Sequence, residues 1–151
     1  MSHNSPLPHT EPDHPHLETH RDCFACGIGN PLGLKLHFDV DDDGTAAADW
    51  SPTAVYSSYP DRVHGGIIAT LLDSAMVHAL FATGVAGVTV ESTIRYRKKM
   101  KLHQPVHITG WVNSVRHGLY LCKAEIRQEN QRIVWNQAKF MAMPKEFSFP
   151  D

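Results

Sequence analysis

A single acidic residue interrupts the most apolar stretch of this chain. The run Gly65-Gly66-Ile67-Ile68-Ala69-Thr70-Leu71-Leu72-Asp73-Ser74-Ala75-Met76-Val77-His78-Ala79-Leu80-Phe81-Ala82 is apolar nearly all round. It reads as one helix, roughly Gly66 to Thr83, with a length of about 27 Å. Ala69 and Thr70 lie one turn before Asp73, and Met76 and Val77 one turn after, so no solvated face is expected around the acid. An ionised carboxylate in such a place is costly unless it is paired, hydrogen-bonded or shifted in pKa. A helix apolar on most faces must also be wrapped by the rest of the chain. It opens on His64-Gly65-Gly66, where bare backbone N–H groups point at an anion or a carbonyl oxygen. A carbonyl-polarising helix start and a buried carboxylate two turns on outline a hydrolytic site.

The rest of the chain supplies the wrapping. Leu34-Lys35-Leu36-His37-Phe38-Asp39-Val40 alternates with period two and predicts a half-buried strand. Asp41-Asp42-Asp43-Gly44 predicts a hairpin turn, with Thr45 to Trp50 returning. Residues 51–63, with Pro52 and Pro60, predict a loop or short helical turns. Gly84 is placed to end the helix and Gly87 the connection after it. Four strands follow: Val88 to Lys99, Val106 to Val115, Leu119 to Gln128 and Arg132 to Met143. Arg116-His117-Gly118 and Glu129-Asn130-Gln131 supply tight turns. The fold class is α+β, an antiparallel curved sheet around one long central helix. Its open edge strand favours dimerisation. The domain spans residues 22–145. Residues 1–21, rich in His and Pro, are expected to be disordered or extended, and 146–151 to form a tail.

Composition bounds the function. The chain has 151 residues, 42% hydrophobic and 20% charged, which fits one soluble domain. A net charge of −2 gives no pull toward nucleic acid or an anionic membrane. Asp73 and His78 argue against a membrane span. The first twenty residues carry no apolar signal region. Three cysteines do not make a disulfide framework. The expected location is cytoplasmic, with thiols reduced.

Three segments carry a family resemblance: Cys23-Phe24-Ala25-Cys26-Gly27, Asn30-Pro31-Leu32-Gly33-Leu34, and Val63-His64-Gly65-Gly66-Ile67-Ile68-Ala69-Thr70-Leu71-Leu72-Asp73. With the element layout they resemble the hotdog-fold thioesterases of the PaaI type, within the 4-hydroxybenzoyl-CoA thioesterase-like superfamily. Gly87-Val88-Thr89-Val90 and Ile94-Arg95-Tyr96 continue the pattern. The resemblance implies hydrolysis of acyl-CoA thioesters. It implies that the Gly65 N–H polarises the thioester carbonyl and that Asp73 acts as nucleophile or general base. It implies that Thr89 orients water or the carboxylate, and that the site is shared across a homodimer or homotetramer. Two departures stand out. Relatives carry an Asn or Gln before the His-Gly-Gly element, where this chain has Tyr56-Ser57-Ser58-Tyr59. Relatives have an Arg/Lys-Pro pair where this chain has Arg97-Lys98-Lys99-Met100-Lys101.

Each candidate has a plainer reading. Asp73 can be a hydrogen-bonded structural acid, and Thr89 an ordinary strand threonine. His64 reads better as a cap of the helix start than as a proton carrier. Arg95, Arg97, Lys98, Lys99 and Lys101 either defend a solvated edge strand or dock CoA phosphates. No cofactor is required beyond the CoA moiety of the substrate. His20, Cys23 and Cys26 suit zinc by type, with His37 or another His as a fourth ligand. Two small buried cysteines or a reduced pair are favoured over a metal. Cys122 is expected in the core. Met76, Leu80, Phe81 and Met141 are expected in the core or lining an acyl pocket. Rival functions are a non-catalytic acyl-CoA-binding protein and a metal-stabilised interaction module. No paired Asp/His hydratase signature lies near the helix.

Overall fold

A computed structural model describes residues 19–143. The expectations for the histidine-rich residues 1–18 and for the tail lie outside the described residues. The elements are β1 (Asp39–Val40), β2 (Ala46–Trp50), a 3₁₀ turn (Ala54–Tyr56), β3 (Ser57–Tyr59), β4 (Arg62–Val63), α1 (Gly65–Ala82), β5 (Gly87–Tyr96), β6 (Val106–Arg116), β7 (Leu119–Gln128) and β8 (Gln131–Ala142). Six strands form one sheet in the order β1-β2-β6-β7-β8-β5, every pair antiparallel. The sheet curves around α1, as the sequence predicts.

The helix is the core. Leu71, Leu72, Ala75, Met76, Ala79 and Leu80 are fully buried, together with Ile108, Ile126 and Phe140 from the sheet. Mean hydropathy over Gly65–Ala82 is 1.5, enough by length and composition for a membrane span, yet here most of the helix is buried within the fold. The helix passes tightly over β6 at Gly110. A Cβ there would meet the Ala75 carbonyl carbon at 2.6 Å and the Met76 nitrogen at 2.8 Å. Those are backbone atoms of the helix and cannot rotate away, so this crossing needs glycine. The helix ends as Gly84 predicts. Gly84 adopts φ +82, its N–H donates to Phe81 O and that of Val85 to Leu80 O, the Schellman pattern.

Several expectations need correction. The strand at Leu34–Val40 pairs only over β1. Leu34, Leu36 and Phe38 do point inward, but Lys35 takes φ +52, which breaks the extended run. Its ammonium donates to the Ile28 and Asn30 carbonyls of the preceding loop. The segment at 51–63 holds the β3–β4 hairpin, which two prolines concealed. β5 stops at Tyr96 rather than Lys99, because the Arg97 and Lys98 N–H groups both turn onto Ile133 O. Met141 is 48% exposed; alternation along β8 sends Phe140 inward and Met141 out. Met76, Leu80, Phe81 and Cys122 are core.

β5 is one of the two edges of the sheet, β1 being the other. Along β5, Val88, Val90 and Tyr96 are about half exposed. The helix face beside it is incompletely covered too: Gly66 is exposed, and Ala69, Thr70 and Asp73 are half-buried. The solvated face that the sequence did not predict therefore exists in a single chain.

Candidate active site

Glycine at two successive positions shapes the start of α1. His64 is the N-cap, extended at φ −60 and ψ 133, and its Nδ1 accepts the Gly66 N–H at 2.8 Å. A Cβ at Gly66 would stand 3.0 Å from that nitrogen, so a bare residue lets the imidazole lie close. The His64 carbonyl accepts from Ile67 N–H (3.0 Å) and Ile68 N–H (3.2 Å). Among the described residues the Gly65 N–H has no hydrogen-bond partner. One donor, not several, is therefore open at this helix end. The Tyr96 hydroxyl donates to Gly65 O at 2.9 Å and ties the helix start to the edge strand. Sequence reasoning gave Tyr96 no role; the two residues are 31 positions apart, and no local signal links them.

Asp73 lies two turns further on. Thr89 Oγ1 donates to Asp73 Oδ1 at 2.6 Å. Thr89 stands beside a register shift in β5 between Thr89 and Glu91, an irregularity of the kind that re-aims side chains. Burial pushes the Asp73 pKa above the usual carboxylate range, while the Thr89 hydroxyl and nearby His20 pull it back. A carboxylate so placed accepts a proton more readily than an exposed one.

Gly65 and Asp73 do not meet within one chain. Eight residues of one helix separate their backbones by about 12 Å along its axis. No single carbonyl carbon can face both.

The basic run is only partly open. Lys99 Nζ pairs with Asp61 at 2.7 Å. Arg62 first, then Lys99, holds Asp61 well below the usual carboxylate range. Lys101 pairs with Glu129, and Lys98 donates to Gln131. Arg97 lies over the Trp135 ring at 5.6 Å. Arg95 projects from β5 with no partner among the described residues. Ser57 donates to Ala54 O at 2.7 Å, so of the two serines before His64 only Ser58 keeps its hydroxyl open. His20, Cys23 and Cys26 converge, their ligand atoms all within 4.8 Å of one another.

The family model described as the thioesterase superfamily matches residues 61–134, from the β3–β4 hairpin through the helix into β8. The chain has the hotdog fold, and over this segment it is similar to the thioesterase superfamily. A crystallised thioesterase superfamily protein matches it with a TM-score of 0.74 and 29% identity, over 78% of this chain and 61% of that one. The chain thus spans less than two thirds of that relative's length. A hypothetical thioesterase from Streptococcus pneumoniae TIGR4, crystallised with coenzyme A, matches with a TM-score of 0.67 and 20% identity, over 72% of this chain and 85% of that one. The E. coli PaaI protein from the phenylacetic acid degradation operon shares the fold with a TM-score of 0.68 and 20% identity, over 74% and 81% of the two chains. No curated protein matches the sequence.

Proposed function

We propose that this protein hydrolyses acyl-CoA thioesters, RCO–S–CoA + H₂O to RCOOH + CoASH, as a homodimer or a dimer of dimers. The observation that carries the reading is Asp73: an acid pressed among apolar residues of the central helix and held by Thr89 at 2.6 Å. A thioester carbonyl is reactive enough to need an oxyanion donor and a proton acceptor rather than an exceptional nucleophile. Gly65 N–H serves as the donor. Asp73 accepts a proton from water or attacks the carbonyl itself, and Thr89 fixes its orientation. His64 holds the helix start in shape and transfers no proton. The separation of Gly65 from Asp73 along one helix supports a site built from two copies, Gly65 of one facing Asp73 and Thr89 of the other. The exposed apolar edge of β5 and the uncovered helix face beside it support the same pairing.

A thiol-release assay over short, long and aryl acyl-CoA substrates tests the reading, with Asp73→Asn as control. Release by the wild type and none by the variant is expected. Binding of acyl-CoA without release would instead favour the non-catalytic reading.

Arg95, Arg97 and Lys98 dock the phosphates of CoA, Lys99 being held by Asp61. Reversing the charge of Arg95 and Lys98 together should raise KM for acyl-CoA and leave an acyl-N-acetylcysteamine thioester, which lacks phosphates, unaffected. Equal effects on both substrates would remove the phosphate role.

A further inference from the structure

We infer that His20, Cys23 and Cys26 form a three-ligand site for a divalent metal ion of the zinc class, built from residues to which the proposed hydrolysis gives no role. One imidazole and two thiols are the donor set such an ion prefers. A tetrahedral ion with one nitrogen and one sulfur ligand holds those atoms about 3.6 Å apart; His20 Nδ1 and Cys26 Sγ stand 3.6 Å apart here. All three ligand atoms lie within 4.8 Å of one another, so small side-chain movements close the set.

The backbone is built to bring them together. Cys23 N–H donates to His20 O (3.0 Å), Gly27 N–H to Cys23 O (2.8 Å) and Gly29 N–H to Arg21 O (2.8 Å). The chain doubles back so tightly that a Cβ at Gly27 would stand 2.4 Å from Arg21 O and Cys23 N. Leu34 and Leu36 N–H groups bind the Phe24 and Ala25 carbonyls and fix the loop to the segment entering β1. The His20 ring packs edge-on to Phe81 of α1, with centroids 4.9 Å apart.

The plainer readings fit less well. Packing alone does not need a half-exposed cysteine pair, and Cys122, the packing cysteine of this fold, is buried. A disulfide pair needs no third ligand. A dication supplies the charge that lets both thiols ionise, and two thiolates balance it with His20 neutral.

The test uses the full chain, reduced and loaded with cobalt(II) in place of zinc. One ion per chain is expected, with sulfur-to-cobalt charge-transfer absorption. Those bands should vanish in Cys23→Ser and in Cys26→Ser, and His20→Ala should weaken affinity by about tenfold or more. Replacing His3, His9, His14 and His16 together by Asn should leave the bands intact. The wild-type spectrum stands even where a cysteine variant fails to fold. Cobalt bound without sulfur bands, bands abolished by the four-Asn variant, or no uptake by the reduced chain would each overturn the assignment.

Discussion

Asp73 is the residue at which stability and the proposed chemistry oppose each other. Its folded pKa is raised by burial, so the folded state favours the protonated acid. The sign follows from linkage. Stability from this group is fully present below the ordinary Asp value of about 3.9 and is lost as pH rises through the raised folded value. Asp73→Asn stays neutral throughout and keeps an acceptor for Thr89. It should therefore melt at a higher temperature than the wild type at neutral pH, with the gap closing in acid. Its kcat should fall by about 10²–10⁴-fold. The wild-type rate should decline on acidification at a pH above the ordinary Asp range. Parallel thermal melts and pH–rate profiles check both halves. Gly65 allows an equally sharp substitution. It is the first helical residue, where proline is accepted, and His64 before it is already extended. Gly65→Pro should preserve the fold while deleting one N–H, lowering kcat by about 10²–10³-fold; circular dichroism with steady-state kinetics reads the two separately.

At the scale of elements, the close crossing of α1 over β6 depends on Gly110. Gly110→Ala should cost about 1–3 kcal/mol, measured by chemical denaturation, because its methyl meets helix backbone rather than a side chain able to turn aside. Nothing in the local sequence marks that glycine; its reason lies in an element some thirty-five residues away. The helix, the meander and its turns were legible because each has a local cause. His117-Gly118 and Glu129-Asn130 take the positive φ their turns demand, and Gly84 ends the helix. The early strand differs from its expectation because alternation reports which side a residue faces, not whether a second strand pairs with it; Leu34 and Leu36 N–H groups bond loop carbonyls instead. Leu34, Leu36 and Phe38 face inward without a ladder. Thr89 and Asp73 were paired by family resemblance alone, and Tyr96 with Gly65 not at all, since neither contact leaves a periodic trace.

At the scale of the whole molecule, the proposed site needs parts that one chain holds apart. The helix start and the acid are held by the same rigid element, about 12 Å apart, and the edge strand beside them exposes Val88 and Val90. A second copy packed along that edge would cover the apolar surface and bring one chain's Gly65 to the other's Asp73. Mixing two dead variants tests this directly. Gly65→Pro and Asp73→Asn homodimers should each be inactive. Unfolded and refolded together, or co-expressed, they should recover about a quarter of wild-type activity, since half the dimers are mixed and each mixed dimer holds one intact site. A mixture as inactive as its components, under conditions where mixed dimers demonstrably form, would contradict a site shared between chains.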